Sequence, residues 1–254
     1  MNASLNTGSQ GSQSDTDRIL ILLCTYNEGD NIGPMLDRLR EVAPRSAIVV
    51  VDDHSPDGTG EIVAQRAEHD PAIKLITRYE RKGLGAAIRQ GLQYAIENGY
   101  DLVINLDADL SHDPAAIPSM LRKCREEDYD VVVGSRYEPG GGFDGLPWHR
   151  RWISRALNTY ATRVLRLPIS DCSGSYRCYR VDALRRIDLN SIRCNGYGFL
   201  EEILVALLRA GCRVGQVPIV FHSRRHGQSK LRLSDALGAL RVIHRLAWQG
   251  PRAH

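Results

Sequence analysis

No stretch of this chain approaches 18 consecutive apolar residues, so no transmembrane helix is expected and any membrane contact has to be peripheral. The six cysteines, at positions 24, 124, 172, 178, 194 and 212, include no Cys-x-x-Cys pair. That pattern argues against a structural zinc site or a disulfide framework, and it fits a reducing compartment. No secretory leader is recognisable, so a cytoplasmic location is expected. Phenylalanine and tryptophan occur three times each, and no basic strip is interleaved with aromatic residues. Zinc-finger spacing and RNA-recognition signatures are missing as well, so no nucleic-acid partner is expected. Acidic residues run short in one half only. Residues 136–254 carry 8 Asp/Glu against 20 Lys/Arg, whereas residues 1–135 carry 22 against 13. The net charge of +3 hides this asymmetry. Nearly all the basic residues of the second half are arginine, the side chain suited to bidentate phosphate recognition. An anionic second substrate, or a negatively charged surface beside the site, is the implied partner.

The 254 residues are enough for one large α/β domain, alone or with a C-terminal extension. Residues 1–17 are rich in Ser, Gln, Gly and Asn and read as a disordered tail. Beyond them, apolar β-favouring runs at 18–24, 47–51, 73–77 and 101–106 alternate with helical spacing at 31–42, 60–69 and 85–98. This order predicts a mostly parallel sheet, flanked by helices and joined by right-handed crossovers. A further strand is expected at 131–135, helices at 152–167 and 200–210, and a strand at 217–222. Residues 231–248 have an amphipathic helical pattern, which suits either a membrane interface or the chain's own core. The expected organisation is a single domain over 18–230, divided into halves at 18–113 and 131–230, with an amphipathic segment at 231–254.

Three strands of the first half end in polar clusters: Thr25-Tyr26-Asn27-Glu28, Asp52-Asp53 and Asp107-Ala108-Asp109. Open α/β sheets bind ligands at the carboxyl ends of their strands, and convergent polar groups there suit a nucleotide. Glu28 and Asp53 would accept hydrogen bonds from base or ribose. Asp107 and Asp109 are hard oxygen ligands for Mg²⁺ or Mn²⁺, which in turn bridges a diphosphate. Asp52 and Asp57 are also explained by turn and cap chemistry, because Ser55-Pro56-Asp57-Gly58-Thr59 is a strong turn signal. Arg81-Lys82-Gly83-Leu84-Gly85 places glycines ahead of a helix, either to approach phosphate or to permit tight packing. His112 fits a turn cap better than a metal ligand, and Glu202 fits either an arginine partner or a site residue.

These motifs resemble the family 2 glycosyltransferases, and within them the polyprenol (dolichol) phosphate mannosyltransferases. The likeness continues through Gly134-Ser135-Arg136-Tyr137, Asp171-Cys172-Ser173-Gly174-Ser175-Tyr176-Arg177, Gly196-Tyr197-Gly198-Phe199 with Glu202, and Arg224-Arg225-His226-Gly227-Gln228-Ser229-Lys230. It spans residues 18 to 233. The resemblance implies a GT-A fold, a GDP-mannose donor and Mg²⁺ or Mn²⁺. Carried over position by position, Thr25, Tyr26, Glu28, Asp52, Asp53 and Asp107 would bind the donor nucleotide. Asp107, Asp109 and Ser111 would hold the metal. Arg136, Arg150, Ser154, Arg224 and Lys230 would bind the phosphate of a polyprenyl or dolichyl acceptor. Asp107, Asp109 and Arg136 would be catalytic. The reaction implied is inverting mannosyl transfer (dolichyl-phosphate β-mannosyltransferase chemistry) on the cytoplasmic face of a membrane, with a membrane-anchoring subunit as a candidate partner. UDP-glucose as donor, or a silent nucleotide-sugar-binding subunit, are the alternatives.

Overall fold

The computed structural model describes residues 17–80, 83–196, 198–223 and 233–248. Residues 1–16 of the expected tail at 1–17, and the expected acceptor residues Arg224 and Lys230, lie outside the described residues; Asp17 is described and pairs with Arg125 at 2.8 Å. Chain order begins β1 (Ile19–Thr25), α1 (Gly29–Val42), β2 (Ala47–Asp52), α2 (Thr59–His69), β3 (Ile73–Thr77), α3 (Leu84–Glu97) and β4 (Leu102–Asp107). These bounds fall within two residues of the sequence reading. The second half contributes α4 (Ile117–Glu126), β5 (Val131–Ser135), β6 (Gly142–Asp144), α5 (Trp148–Val164), β7 (Arg177–Arg180) and α6 (Val181–Arg185). It closes with α7 (Phe199–Arg209), β8 (Val214–Pro218), β9 (Val220–His222) and α8 (Leu233–Trp248).

Seven strands form one sheet in the order β3-β2-β1-β4-β7-β5-β8. All its neighbours pair in parallel except β7, which runs antiparallel between β4 and β5. Strand alternation sends Leu20 and Leu22 of β1 into one core and Ile21 and Leu23 into the other. Both faces are therefore covered, which explains why β1, β2 and β4 read as unbroken apolar runs. The expected strand at 217–222 is two strands, β8 and β9, and β9 pairs with β6 in a small separate sheet.

Helix α8 packs on α5 and α7, with Ile243 and Leu246 buried. Of the two readings of its amphipathic pattern, its described buried side chains face the chain's own core. The glycines ahead of α3 serve close approach. A Cβ at Gly85 would lie 2.5 Å from Phe199 Cβ, and Gly83 holds a positive φ of 88° with Asn195 O 2.7 Å from where its Cβ would stand. Gly91 lets α3 lie against β1, since a Cβ there would overlap Leu22 Cδ1. Gly91→Ala is expected to destabilise the fold by about 1–3 kcal/mol, the usual cost of overpacking a rigid core. Thermal denaturation checks this, and an unchanged midpoint would contradict the close packing.

Candidate active site

The pairing register brings the expected strand ends together. Thr25 pairs with Asp52 across β1 and β2, and Cys24 pairs with Asp107 across β1 and β4. Each of the three following loops holds a non-glycine residue at positive φ: Asn27 at 55°, His54 at 50° and Leu110 at 61°. Such conformations cost of order 1 kcal/mol and cluster where function fixes the backbone. Leu110 is the least suited to it, lacking a polar side chain that could bond locally.

Asp52 faces inward. Its Oδ1 accepts from Thr25 Oγ1 at 2.7 Å and Ser55 Oγ at 2.6 Å, and its Oδ2 accepts from Ser55 N at 2.8 Å. Thr25 and Asp52, both expected to touch nucleotide, are therefore engaged with each other and shape the loop from below. Asp57 ties two loops together by accepting from Gly29 N at 2.8 Å and Thr59 Oγ1 at 2.6 Å. Burial alone would raise its carboxyl, but the bonds from Thr59 and Gly29 outweigh that and hold it below the usual range. Glu28 accepts from Asn31 Nδ2 at 2.8 Å, and its backbone N–H donates to Thr59 Oγ1 at 3.0 Å. Tyr26 stands half-buried on the same loop.

Asp53 meets a residue the sequence reading passed over. Arg78, just past β3, brings Nη1 to 3.0 Å from Asp53 Oδ1, with both side chains buried. Its position after a parallel strand was the available signal. Arg78 also borders a cavity of about 580 Å³ between β3 and α3, lined by Glu80, Arg89 and Gln93 among others. That cavity shares only Arg78 with the strand-end cluster and lies away from Asp107 and Asp109.

The carboxylate pair sits at the end of β4. Asp109 is buried, and its Oδ1 accepts from Ser111 N at 3.0 Å and Ser111 Oγ at 2.5 Å. Ser111, expected as a metal ligand, thus directs its hydroxyl proton to Asp109 and orients that carboxylate. Asp107 is partly exposed, and its Oδ1 accepts from Ser175 Oγ at 2.7 Å. His112 closes the turn: its Nδ1 accepts the Asp107 N–H at 3.3 Å, and its ring lies against Tyr176. Burial lowers the His112 pKa, outweighing the pull of Asp107 and Asp109. The ring is therefore neutral, with its proton assigned to Nε2 by that bond.

Two carboxylates from one strand end, each steadied by a serine hydroxyl, fit Mg²⁺ or Mn²⁺ as such ions are held beside nucleotides. The protein gives one or two carboxylates and phosphate oxygens supply the rest. Among the described residues, no group of three His, Cys, Asp or Glu side chains forms a self-sufficient metal site. A phosphate-bearing ligand would complete the coordination of such an ion.

Arg136 follows β5 and is gripped by Asp171. Its Nε donates to Asp171 Oδ2 at 2.7 Å, Nη2 to Oδ1 at 2.8 Å, and its backbone N to Oδ2 at 3.1 Å. Nη2 also donates to Ser173 Oγ at 2.7 Å, and the rings of Tyr137, Phe143 and Phe221 stand 5.5–5.9 Å from the guanidinium carbon. Burial works against the Arg136 charge, but Asp171 more than compensates and raises its pKa. Burial likewise would raise Asp171, yet Arg136 holds it below the usual carboxylate range. Asp171 carries no role in the sequence reading; it lies 35 positions beyond Arg136, and only the fold brings the two together.

One short segment therefore serves both charges. Asp171 and Ser173 hold Arg136, while Ser175 holds Asp107. Below it, the fully buried Arg177 donates to the carbonyls of Cys172, Gly174 and Leu200. Beside it, Asn158 of α5 accepts from Cys172 N at 2.9 Å. Ser154 of the same helix meets Tyr137 OH at 2.8 Å, next to Arg136. Arg150, also expected at the acceptor phosphate, is exposed near the start of α5.

The acids of α7 are structural in their contacts. Glu202 pairs with Arg245 at 2.9 Å and accepts from Arg193 N and Cys194 N. Glu201 is buried, and its Oε2 finds no hydrogen-bond partner. Burial raises its pKa from 4.5 to about 7, against the opposing pull of Arg177 and Arg136 and with a further push from Asp171. Its neutral form belongs to the fold, so its contribution is fully present below pH 4.5 and lost as pH rises through about 7. Glu201→Gln should match the native chain at low pH and exceed it by about 3 kcal/mol well above neutrality. Urea titrations on both sides of pH 7 test this, and parallel pH profiles would contradict it.

Comparison with known proteins bears on the family and the fold. Residues 20–188 match the model of Glycosyl transferase family 2. An undecaprenyl-phosphate mannosyltransferase of Micrococcus luteus is 41% identical over 214 residues, covering 84% of this chain and 87% of the relative. A polyprenol monophosphomannose synthase of Mycolicibacterium smegmatis is 36% identical over 226 residues, covering 89% and 85%. In fold, the chain is similar to glucosyl-3-phosphoglycerate synthase of Mycobacterium tuberculosis, solved with Mn²⁺, UDP and glucosyl-3-phosphoglycerate. The TM-score is 0.66 at 19% identity, with 92% and 81% of the two chains covered. It is similar too to the mannosyltransferase PcManGT of Pyrobaculum calidifontis, solved with GDP-Man and Mn²⁺. There the TM-score is 0.60 at 18% identity, with 91% and 69% covered.

Proposed function

The chain belongs to glycosyl transferase family 2, and from that premise we propose that this glycosyltransferase moves mannose from GDP-mannose to a polyprenyl phosphate, with inversion at the anomeric carbon. The observation that carries the reading is the 171–175 segment, which binds an arginine for an anionic acceptor and a carboxylate for a metal–diphosphate into one unit. The names of the two curated relatives support the acceptor and the sugar. A GDP-Man complex on the same fold supports the donor.

A phosphate monoester is already anionic at neutral pH and needs no general base before attack. Accordingly, the groups proposed to meet the acceptor are arginine, serine and lysine rather than a poised carboxylate or histidine. Arg136, held charged by Asp171, draws the acceptor phosphate to the face opposite the departing diphosphate. Ser154 and Arg150 approach from α5, with Arg224 and Lys230 proposed beside them. Glu28, Tyr26 and Asp53 with Arg78 form the nucleotide side, where Thr25 and Asp52 fix the loops. Mg²⁺ or Mn²⁺ held by Asp107 and Asp109 would neutralise charge on the departing diphosphate. In-line displacement of an α-linked donor gives a β-linked sugar phosphate. Membrane contact is proposed to be peripheral, on the cytoplasmic face; among the described residues no helix is long and apolar enough to cross a membrane.

Incubating the purified chain with labelled GDP-mannose, Mg²⁺ or Mn²⁺ and polyprenyl phosphate should yield a lipid-extractable, acid-labile product. Faster transfer from UDP-glucose would replace the donor. No transfer from any nucleotide sugar to the lipid phosphate would overturn the reading.

A further inference from the structure

The ends of β2 and β3 carry a charge pair on the inside and a ring pair on the outside. Asp53 and Arg78 are both buried, with Arg78 Nη1 3.0 Å from Asp53 Oδ1. The residue that follows each of them is aromatic. His54 and Tyr79 bring their ring centroids to 5.1 Å, with the planes tilted by 46°. Tyr79 is 80% exposed, so the core gains nothing from its ring. His54 stands between buried Asp53 and Ser55, and at a φ of 50° it is the exposed member of the three. The backbone beneath the two rings is anchored. Asp53 N donates to Thr25 O at 3.0 Å and Arg78 N to Asp52 O at 2.7 Å, which carries the ladder past its last paired residues.

We propose that Tyr79, propped by His54, is the platform on which the base of a purine nucleoside diphosphate stacks, and that it makes the donor site favour a purine over a pyrimidine. A nucleobase has polar edges and apolar faces, so it is held by hydrogen-bonding groups at its rim and a flat ring against its face. Asp53 and Arg78 supply the first and Tyr79 the second. They lie side by side at the carboxyl ends of parallel strands, where such sheets take their ligands. The two fused rings of a purine cover more of an aromatic platform than one pyrimidine ring does. That gain grows with the area covered and does not depend on the hydrogen bonds at the rim. An exposed tyrosine loses rotamer freedom when a ligand stacks on it, and the contact with His54 removes part of that cost in advance. The inference rests on the nucleotide-sugar reading and deepens it by naming the residue that selects the class of base.

Equilibrium dialysis of the full chain with labelled GDP, ADP and UDP in Mg²⁺ reads the preference without catalysis. The native chain should hold GDP more tightly than UDP. Tyr79→Ala should weaken GDP and ADP by about tenfold or more and UDP by less than about threefold, whereas Tyr79→Phe should keep the native values. His54→Asn removes the ring but keeps a residue that tolerates the left-handed backbone, and it should weaken both purine diphosphates by about twofold to fivefold. The melting temperature of Tyr79→Ala should match that of the native chain, since the ring lies outside the core. Its KM for GDP-mannose should rise with the GDP dissociation constant, and its KM for polyprenyl phosphate should not. A purine preference that survives Tyr79→Ala would overturn the inference and leave the donor reading in place. A loss confined to GDP, with ADP unchanged, would put Tyr79 at the edge of guanine and overturn the platform. A native chain that holds UDP as tightly as GDP would overturn platform and donor together. Selective loss of purine affinity in a chain that transfers no mannose to lipid phosphate would instead sink the functional reading and leave the platform standing.

Discussion

Asp109→Asn is expected to lower sugar transfer by between about a hundredfold and a thousandfold, or 3–4 kcal/mol in the barrier, while leaving the fold intact. The asparagine carbonyl can still accept from Ser111 N and Oγ, so the buried turn keeps its shape. The formal charge that would hold a divalent ion disappears. Initial rates with labelled nucleotide sugar measure the effect, and the melting temperature shows that the loss is chemical. Removing divalent ions with a chelator should abolish native turnover, and Mg²⁺ or Mn²⁺ should restore it. Native-like rates in the variant would remove Asp109 from the machinery and favour a scaffold role.

Asp171→Ala should be nearly as damaging by a different route. It leaves a largely buried guanidinium without its carboxylate, and breaking such a pair costs about 3–5 kcal/mol. Arg136 would also lose the fork that fixes its plane. The KM for lipid phosphate should therefore rise by about tenfold to a hundredfold, with GDP affinity little changed. Asp171→Asn keeps the volume but offers one acceptor where the fork needs two, so it should lie between alanine and the native residue. Asp171→Glu should recover part of the acceptor affinity. A fall in stability with no change in acceptor KM would mean that Asp171 is only structural.

Much of the first half was legible because its strands are buried on both faces and end in unmistakable polar clusters. The Asp107–Asp109 pair, Glu28 and Asp53 could be ranked from position alone. Three features were not legible. β7 is four residues long and begins with Arg177, whose charge is satisfied by backbone carbonyls that no hydropathy pattern reveals. Its antiparallel insertion supplies Ser175 to Asp107 and so completes the site. Helix α5 begins four residues earlier than its pattern suggested, because its apolar stripe faces outward and defeats the usual rule of apolar-in. Partners such as Arg78 for Asp53 and Asp171 for Arg136 are long-range pairings, and residue type alone does not choose among many arginines and carboxylates.

The 171–175 segment also limits how this chain can be recombined. Splicing residues 1–135 onto the second half of another transferase would change the proposed acceptor side, but it would also replace the hydroxyl beneath the chain's own Asp107. A chimaera cut at that boundary inherits a foreign support for a native carboxylate, and its donor side should suffer although every donor residue is retained. Acceptor preference is better altered by point changes on α5, leaving Asp171, Ser173 and Ser175 to travel with the strands they brace.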